Sequence, residues 1–204
     1  IVRDRARVVY PEGVTDRLSV LHSFPKWLVE KLIADFGMQY AEAMLSYRDK
    51  RHAVTIRPNL TQMAPEQFEE YLTKQGFEWE RGAVPEAYRV GGGFLSQHAG
   101  FRQGLYSIMG EASMLAAQAV GVRPGMQVLD CCAAPGGKAC YLAERMAGTG
   151  RVYAWDLHEH RVRLIAGAAQ RLGLDNVRTR VQDAREIVAS QEDRMDAVLV
   201  DAPC

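Results

Sequence analysis

Apolar and polar positions alternate with different periods along this chain, and the period changes near residue 106. Trp27, Leu28, Leu32 and Ile33 recur at helical spacing up to Gly37, behind Ser23-Phe24-Pro25, where Ser23 can cap and Pro25 suits a first turn. A second helix is predicted over 39–47, a short strand over 52–58 ended by Pro58, and a third helix over 65–75 stopped by Gly76. Residues 77–105, with Gly91-Gly92-Gly93, read as short strands and turns. The charged opening, broken by Pro11 and Gly13, reads as a linker over 1–20, and 21–105 as a small α+β unit.

After Tyr106 an alanine-rich helix over 111–120 leads into alternating apolar runs and amphipathic stretches. Strands are predicted at 126–130, 151–156, 177–181 and 196–201, with helices at 137–146 and 159–172, the latter stopped by Gly173. That alternation predicts an α/β, doubly wound parallel sheet over 106–204. Right-handed crossovers place all strand C-termini on one edge.

Composition narrows the class without naming a chemistry. At 48% hydrophobic and 25% charged residues the chain can bury a core, which excludes disordered and collagen-like readings. Twenty-five basic and 25 acidic side chains give zero net charge, so a uniformly basic nucleic-acid binder is excluded while a local basic patch is not. No apolar run approaches a membrane span, and Cys131, Cys132, Cys140 and Cys204 form neither a disulfide framework nor a paired metal signature. The histidines show no metal spacing either. A reducing cytoplasm and no metal are the expectation.

Candidate chemistry gathers at the strand ends. Asp130, Asp156, Asp183 and Asp201 each lie at or just after a predicted strand, where a doubly wound sheet has its ligand crevice. Asp156 follows Asp130 by 26 residues, the position from which a carboxylate can accept both ribose hydroxyls of a nucleoside cofactor. Capping of the following helix is the alternative for each aspartate taken singly. Cys132-Ala133-Ala134-Pro135-Gly136-Gly137-Lys138 joins the first of these strands to its helix, and its small residues let backbone N–H groups approach a ligand. Ala139 after Gly-Gly-Lys rules out a Walker loop, and no second phosphate cradle follows. A nucleoside with an amino-acid tail, as in S-adenosyl-L-methionine, fits better than a dinucleotide. In Asp201-Ala202-Pro203-Cys204, Pro203 turns the backbone out of the sheet and sets a carboxylate beside a thiol. Such a pair suits covalent addition to an electrophilic ring, and an incidental buried cysteine is the alternative for Cys204. Cys131, Cys132 and Cys140 read as packing residues.

VLDCCAAPGGK (128–138), AWDLHEHR (154–161), QDA (182–184) and VDAPC (200–204) together resemble the successive motifs of the RNA cytosine-5 methyltransferases, most of all the bacterial Sun-type (Fmu) branch that methylates small-subunit ribosomal RNA. HSFPKWLVEKLIADFG (22–37) and LYSIMGEASMLAA (105–117) are similar to segments upstream of that family's catalytic domain, so the likeness spans nearly the whole chain. It implies a Rossmann-like class I S-adenosylmethionine-dependent methyltransferase fold, of which 106–204 is the N-terminal half. It implies that Cys132–Lys138 surround the methionine part, Asp156 holds the ribose, Asp183 lies by the adenine, and Asp201 lies near the methyl and target base. In such enzymes a thiolate adds to cytosine C6, C5 takes the methyl, and loss of the C5 proton expels the cysteine. In the RNA enzymes that nucleophile belongs to a Thr-Cys motif beyond the position of Cys204, and the proline-cysteine thiol helps release the product. The DNA enzymes use the proline-cysteine thiol itself as nucleophile. Cys131 and Ala139 depart from the usual apolar residue and threonine.

The reading is therefore a fragment of a 16S ribosomal RNA cytosine-5 methyltransferase, without the family's N-terminal helical RNA-binding domain and without the later nucleophile, so that it could be inactive by itself. A transfer-RNA enzyme and a catalytically silent RNA-binding module that keeps the cofactor pocket are the rivals. Ribosomal RNA is the expected partner, a monomer the expected state, and Arg48, Arg51, Arg57 and Arg102 the candidate RNA contacts.

Overall fold

The computed structural model describes residues 9–47, 53–91 and 94–202. The chain divides into two compact units after residue 51.

The first unit holds α1 (Val14–His22), α2 (Lys26–Phe36) and α3 (Met38–Ser46), packed around Leu18, Val29 and Leu45. Residues 14–20, expected as linker, are thus helical: Pro11 and Gly13 precede the helix, Gly13 serving as its N-cap. Ser23 does not cap α2. It ends α1 in a left-handed conformation (φ 60°), and Pro25 takes the N-cap of α2.

The second unit carries two sheets. The first is antiparallel, in the order β2 (Trp79–Arg81), β3 (Tyr88–Gly91), β1 (Ala53–Pro58), β4 (Tyr106–Ile108). Helix α4 (Pro65–Lys74) buries Phe68 and Leu72 in the core of this sheet, with Ile56, Tyr88, Val90 and Tyr106. The short α5 (Ala99–Arg102) precedes β4. β4 was not expected from the sequence. Its three residues pair with β1, Ile56 opposite Ile108 and Pro58 opposite Tyr106.

The second sheet is parallel throughout, in the order β7 (Val177–Val181), β6 (Arg151–Asp156), β5 (Gln127–Asp130), β8 (Ala197–Leu199). Helices α6 (Glu111–Ala119), α7 (Gly137–Arg145) and α8 (Glu159–Leu172) complete it. Val128, Val152 and Ala154 on the strands pack with Leu142 on α7, Met146 just past its end and Ile165 on α8. The expected α/β Rossmann-like arrangement after a small α+β part is therefore present, and the carboxyl ends of β5, β6 and β8 share one edge.

Polar groups join the two sheets. Arg57, expected to face RNA, is fully buried: its Nη1 and Nη2 donate to Glu144 at 2.5 and 3.1 Å, and its guanidinium lies 4.3 Å from the Tyr141 ring centroid. Asn59 Nδ2 donates to the carbonyls of Gly104 and Leu172, both at 2.9 Å. The surface reading of Arg57 fails because its partner, 87 residues away in sequence, is reached only through the fold. Arg102 is exposed, whereas Arg48 and Arg51 lie outside the described residues.

Candidate cofactor site

A cleft of about 500 Å³ opens at the carboxyl edge of the parallel sheet. Asp130, at the end of β5, lines it, and the loop that follows runs along it through Cys132, Ala133, Ala134, Pro135, Gly137 and Lys138. The loop is held from behind. Ala133 N–H donates to the Trp155 carbonyl at 2.8 Å, and Ala134 N–H donates to Asp156 Oδ2 at 3.2 Å. Gly136 takes φ +106°, and a Cβ there would sit 3.1 Å from Ile165 Cα on α8. Both facts require glycine, since an L-residue is strained at that φ. Gly136→Ala is expected to cost about 1–3 kcal/mol, from backbone strain and the clash with α8. A urea unfolding curve checks it, and an unchanged midpoint would refute the close-approach reading.

The aspartates differ sharply. Asp130 is 1% exposed; its Oδ1 accepts from Cys132 N–H at 3.4 Å, and its Oδ2 has no partner among the described residues. Burial pushes its carboxyl up to about 6. Asp201 also lines the cleft and pairs with Lys138 at 2.5 Å. Asp156 is 3% exposed and lies behind the loop, with the Arg161 guanidinium 3.5 Å from its Oδ1. Arg161, but not Asp156, lines the cleft. Asp183 turns to Arg185, whose Nη2 lies 2.6 Å from its Oδ2, and that pair holds its carboxyl down at about 2. It does not line the cleft either. Cys204 lies outside the described residues.

Burial, reinforced by the Asp130 carboxylate, raises the Cys132 thiol, and burial does the same at Cys131. Neither environment favours a thiolate. The loop cysteines therefore contribute packing and backbone N–H groups.

Several cleft residues were not singled out from the sequence. Ile108, Met109, Gly110 and Ser113 form the wall contributed by the end of β4 and the start of α6. Their stretch resembles a family lead-in segment, but nothing in its spacing marks a ligand wall. Asp130 was legible as a strand-end acid. That its Oδ2 stays orphaned was not.

The chain matches two family models. Residues 117–204 match the 16S rRNA methyltransferase RsmB/F model, and residues 24–93 the ferredoxin-like domain of the RsmF/B-like methyltransferases. Between them, the two models of RsmB/F methyltransferases match most of the chain. It is 36% identical over 195 residues to a probable ribosomal RNA small subunit methyltransferase B of Bacillus subtilis, covering 95% of this chain and 44% of that protein. It is 28% identical to a mouse 28S rRNA (cytosine-C(5))-methyltransferase, covering 98% of this chain and 26% of that one. The crystal structure of a methyltransferase homologue from Pyrococcus horikoshii superposes with a TM-score of 0.82 at 27% identity, over 95% of this chain and 64% of that one. The chain spans less than half the length of these two curated relatives.

S-adenosylmethionine is the cofactor of this methyltransferase family, and the cleft fits it. A buried carboxylate oxygen without a partner calls for a cationic donor, which the amino group of the methionine part supplies. The described residues contain no cluster able to hold a metal ion and no helix long and apolar enough to cross a membrane.

Proposed function

We propose that this chain forms the cofactor-binding part of an RNA cytosine-5 methyltransferase that acts on small-subunit (16S) ribosomal RNA. The observation that carries the proposal is the orphaned Asp130 oxygen in a cleft also lined by the 132–138 loop and the Lys138–Asp201 pair. When bound, S-adenosylmethionine supplies an electrophilic methyl group on a sulfonium. Asp130 receives the ammonium of its methionine end, and the loop from Cys132 to Lys138 encloses that end. Asp156, buried behind the loop that it holds through Ala134 N–H, is assigned the ribose together with Arg161, which pairs with it and lines the cleft. Asp183, anchored by Arg185, fixes the turn after β7 beside the adenine. Asp201 lies close to the methyl and the target cytosine, with Lys138 holding its carboxylate in place. Cys204 acts on product release, and the attacking thiolate comes from a later segment. The names of the relatives support cytosine C5 as the acceptor and ribosomal RNA as the substrate.

Calorimetric titration of the full-length protein with S-adenosylmethionine is expected to give one site. Asp156→Ala should weaken it by roughly ten-fold or more, the size of a hydrogen bond to a charged group. Absence of binding by the wild-type protein would end the proposal, and wild-type affinity in the variant would remove Asp156 from the ribose. Transfer of labelled methyl to 16S rRNA, with the product nucleoside identified by mass, tests the substrate.

A further inference from the structure

A second concavity of about 430 Å³ adjoins the cofactor cleft, and Ile108, Pro135 and Gly137 line both. Its apolar walls are Phe101, Ile108 and Leu164, the last two 42% and 55% exposed. Arg163 and Arg171 are its charges, and no carboxylate is among its lining residues. Arg171 stacks on the Phe101 ring at 3.9 Å and donates to the carbonyls of Phe101 and Tyr106, so one wall is rigid. Arg163 is 71% exposed, and among the described residues it pairs with Glu159 on the same helix, at 3.5 Å between two solvated side chains, a pairing worth little.

Gly167 is the informative residue. It stands in the interior of α8, where glycine costs about 1 kcal/mol relative to alanine. The fold does not demand it: its φ is not positive, and a Cβ there would meet nothing within 4 Å. It lines the concavity. A helix face without a side chain, between an apolar wall and an arginine, leaves a flat surface on which a planar group can lie.

Resting on the RNA-substrate reading above, we propose that this groove binds one nucleotide flanking the target cytosine. The base lies over Gly167 against Ile108 and Leu164, and its phosphate pairs with Arg163. Single-stranded RNA is recognised in this way, by stacking of splayed bases with basic side chains on the backbone. Continuity with the cofactor cleft places the site where the strand enters.

The test uses the full-length protein and a 16S rRNA transcript. Gly167→Leu fills the groove from an unobstructed position and strengthens the helix, so the melting temperature should hold or rise and S-adenosylmethionine affinity should stay at the wild-type value. Affinity for the transcript should fall by about ten-fold, the scale of one lost stacked base. Arg163→Glu should weaken RNA binding and flatten its salt dependence. Ala166→Leu, on the same helix outside the groove, should leave RNA affinity unchanged. Wild-type RNA affinity in both groove variants would overturn the inference while leaving the cofactor and methyl-transfer reading intact. Failure of the wild-type protein to bind the transcript would overturn both.

Discussion

Arg57→Ala is expected to lower the unfolding free energy by about 3–5 kcal/mol, because it leaves the Glu144 carboxylate buried without its counter-ion. Both side chains are fully buried, and the pair is bidentate. Burial pushes the Glu144 carboxyl up, and Arg57 and the Leu60 N–H counter that push. Loss of the guanidinium therefore removes the main group that keeps the carboxylate ionised. Arg57 Nε also lies 3.4 Å from the sulfur of Met109, which lines the cofactor cleft, so the same substitution loosens that wall. The paired replacement Arg57→Met with Glu144→Leu is expected to recover most of the loss, since an apolar pair of similar volume carries no desolvation cost. Denaturant unfolding of the two single variants and the double checks this. A loss in the double variant equal to the sum of the two single losses would mean that the pair does not act as a unit.

Asp130→Asn should make the cofactor-free protein more stable and its cofactor binding weaker. The folded-state carboxyl titrates at about 6, above its ordinary value of 3.8. Between those values the folded protein holds a proton that the unfolded chain has released. Stability therefore falls as pH rises from about 4 through 6, and above that the ionised group costs on the order of 2–3 kcal/mol. The isosteric amide avoids that cost, so the variant's unfolding free energy should exceed the wild type's at pH 8 and lose this pH dependence. Cofactor binding has the opposite sign, because the ammonium needs the ionised carboxylate. Wild-type affinity for S-adenosylmethionine should drop as pH is lowered through 6, while Asp130→Asn should bind roughly ten-fold or more weakly at pH 8 and with little change over that range. A variant that binds as tightly as wild type at pH 8 would take Asp130 out of the cofactor site.

The parallel sheet was legible because its signals are local. Val128, Leu129 and the 151–156 run are short apolar stretches ended by an acid, and α8 carries its apolar stripe to a glycine stop at Gly173. β4 was not legible, since three residues give no period and its strand character comes from pairing with β1. α1 was hidden by Pro11 and Gly13, which read as breakers but only mark its start. Asp183 shows the same limit at a single residue. Its place after β7 follows from the sequence, but its direction is set by Arg185 two positions on.

The amino-acid order by itself determined the four strands of the parallel sheet and the helices between them, where the tight 132–138 turn falls, and that carboxylates stand at the strand ends. Each of those depends on neighbours within a few positions. Only the tertiary structure decided that Asp130 keeps an oxygen without a partner, that Arg57 is an internal clamp rather than a surface cation, and that Gly167 borders an open groove. Those outcomes depend on burial and on pairing between residues far apart in the chain, which local periodicity does not encode.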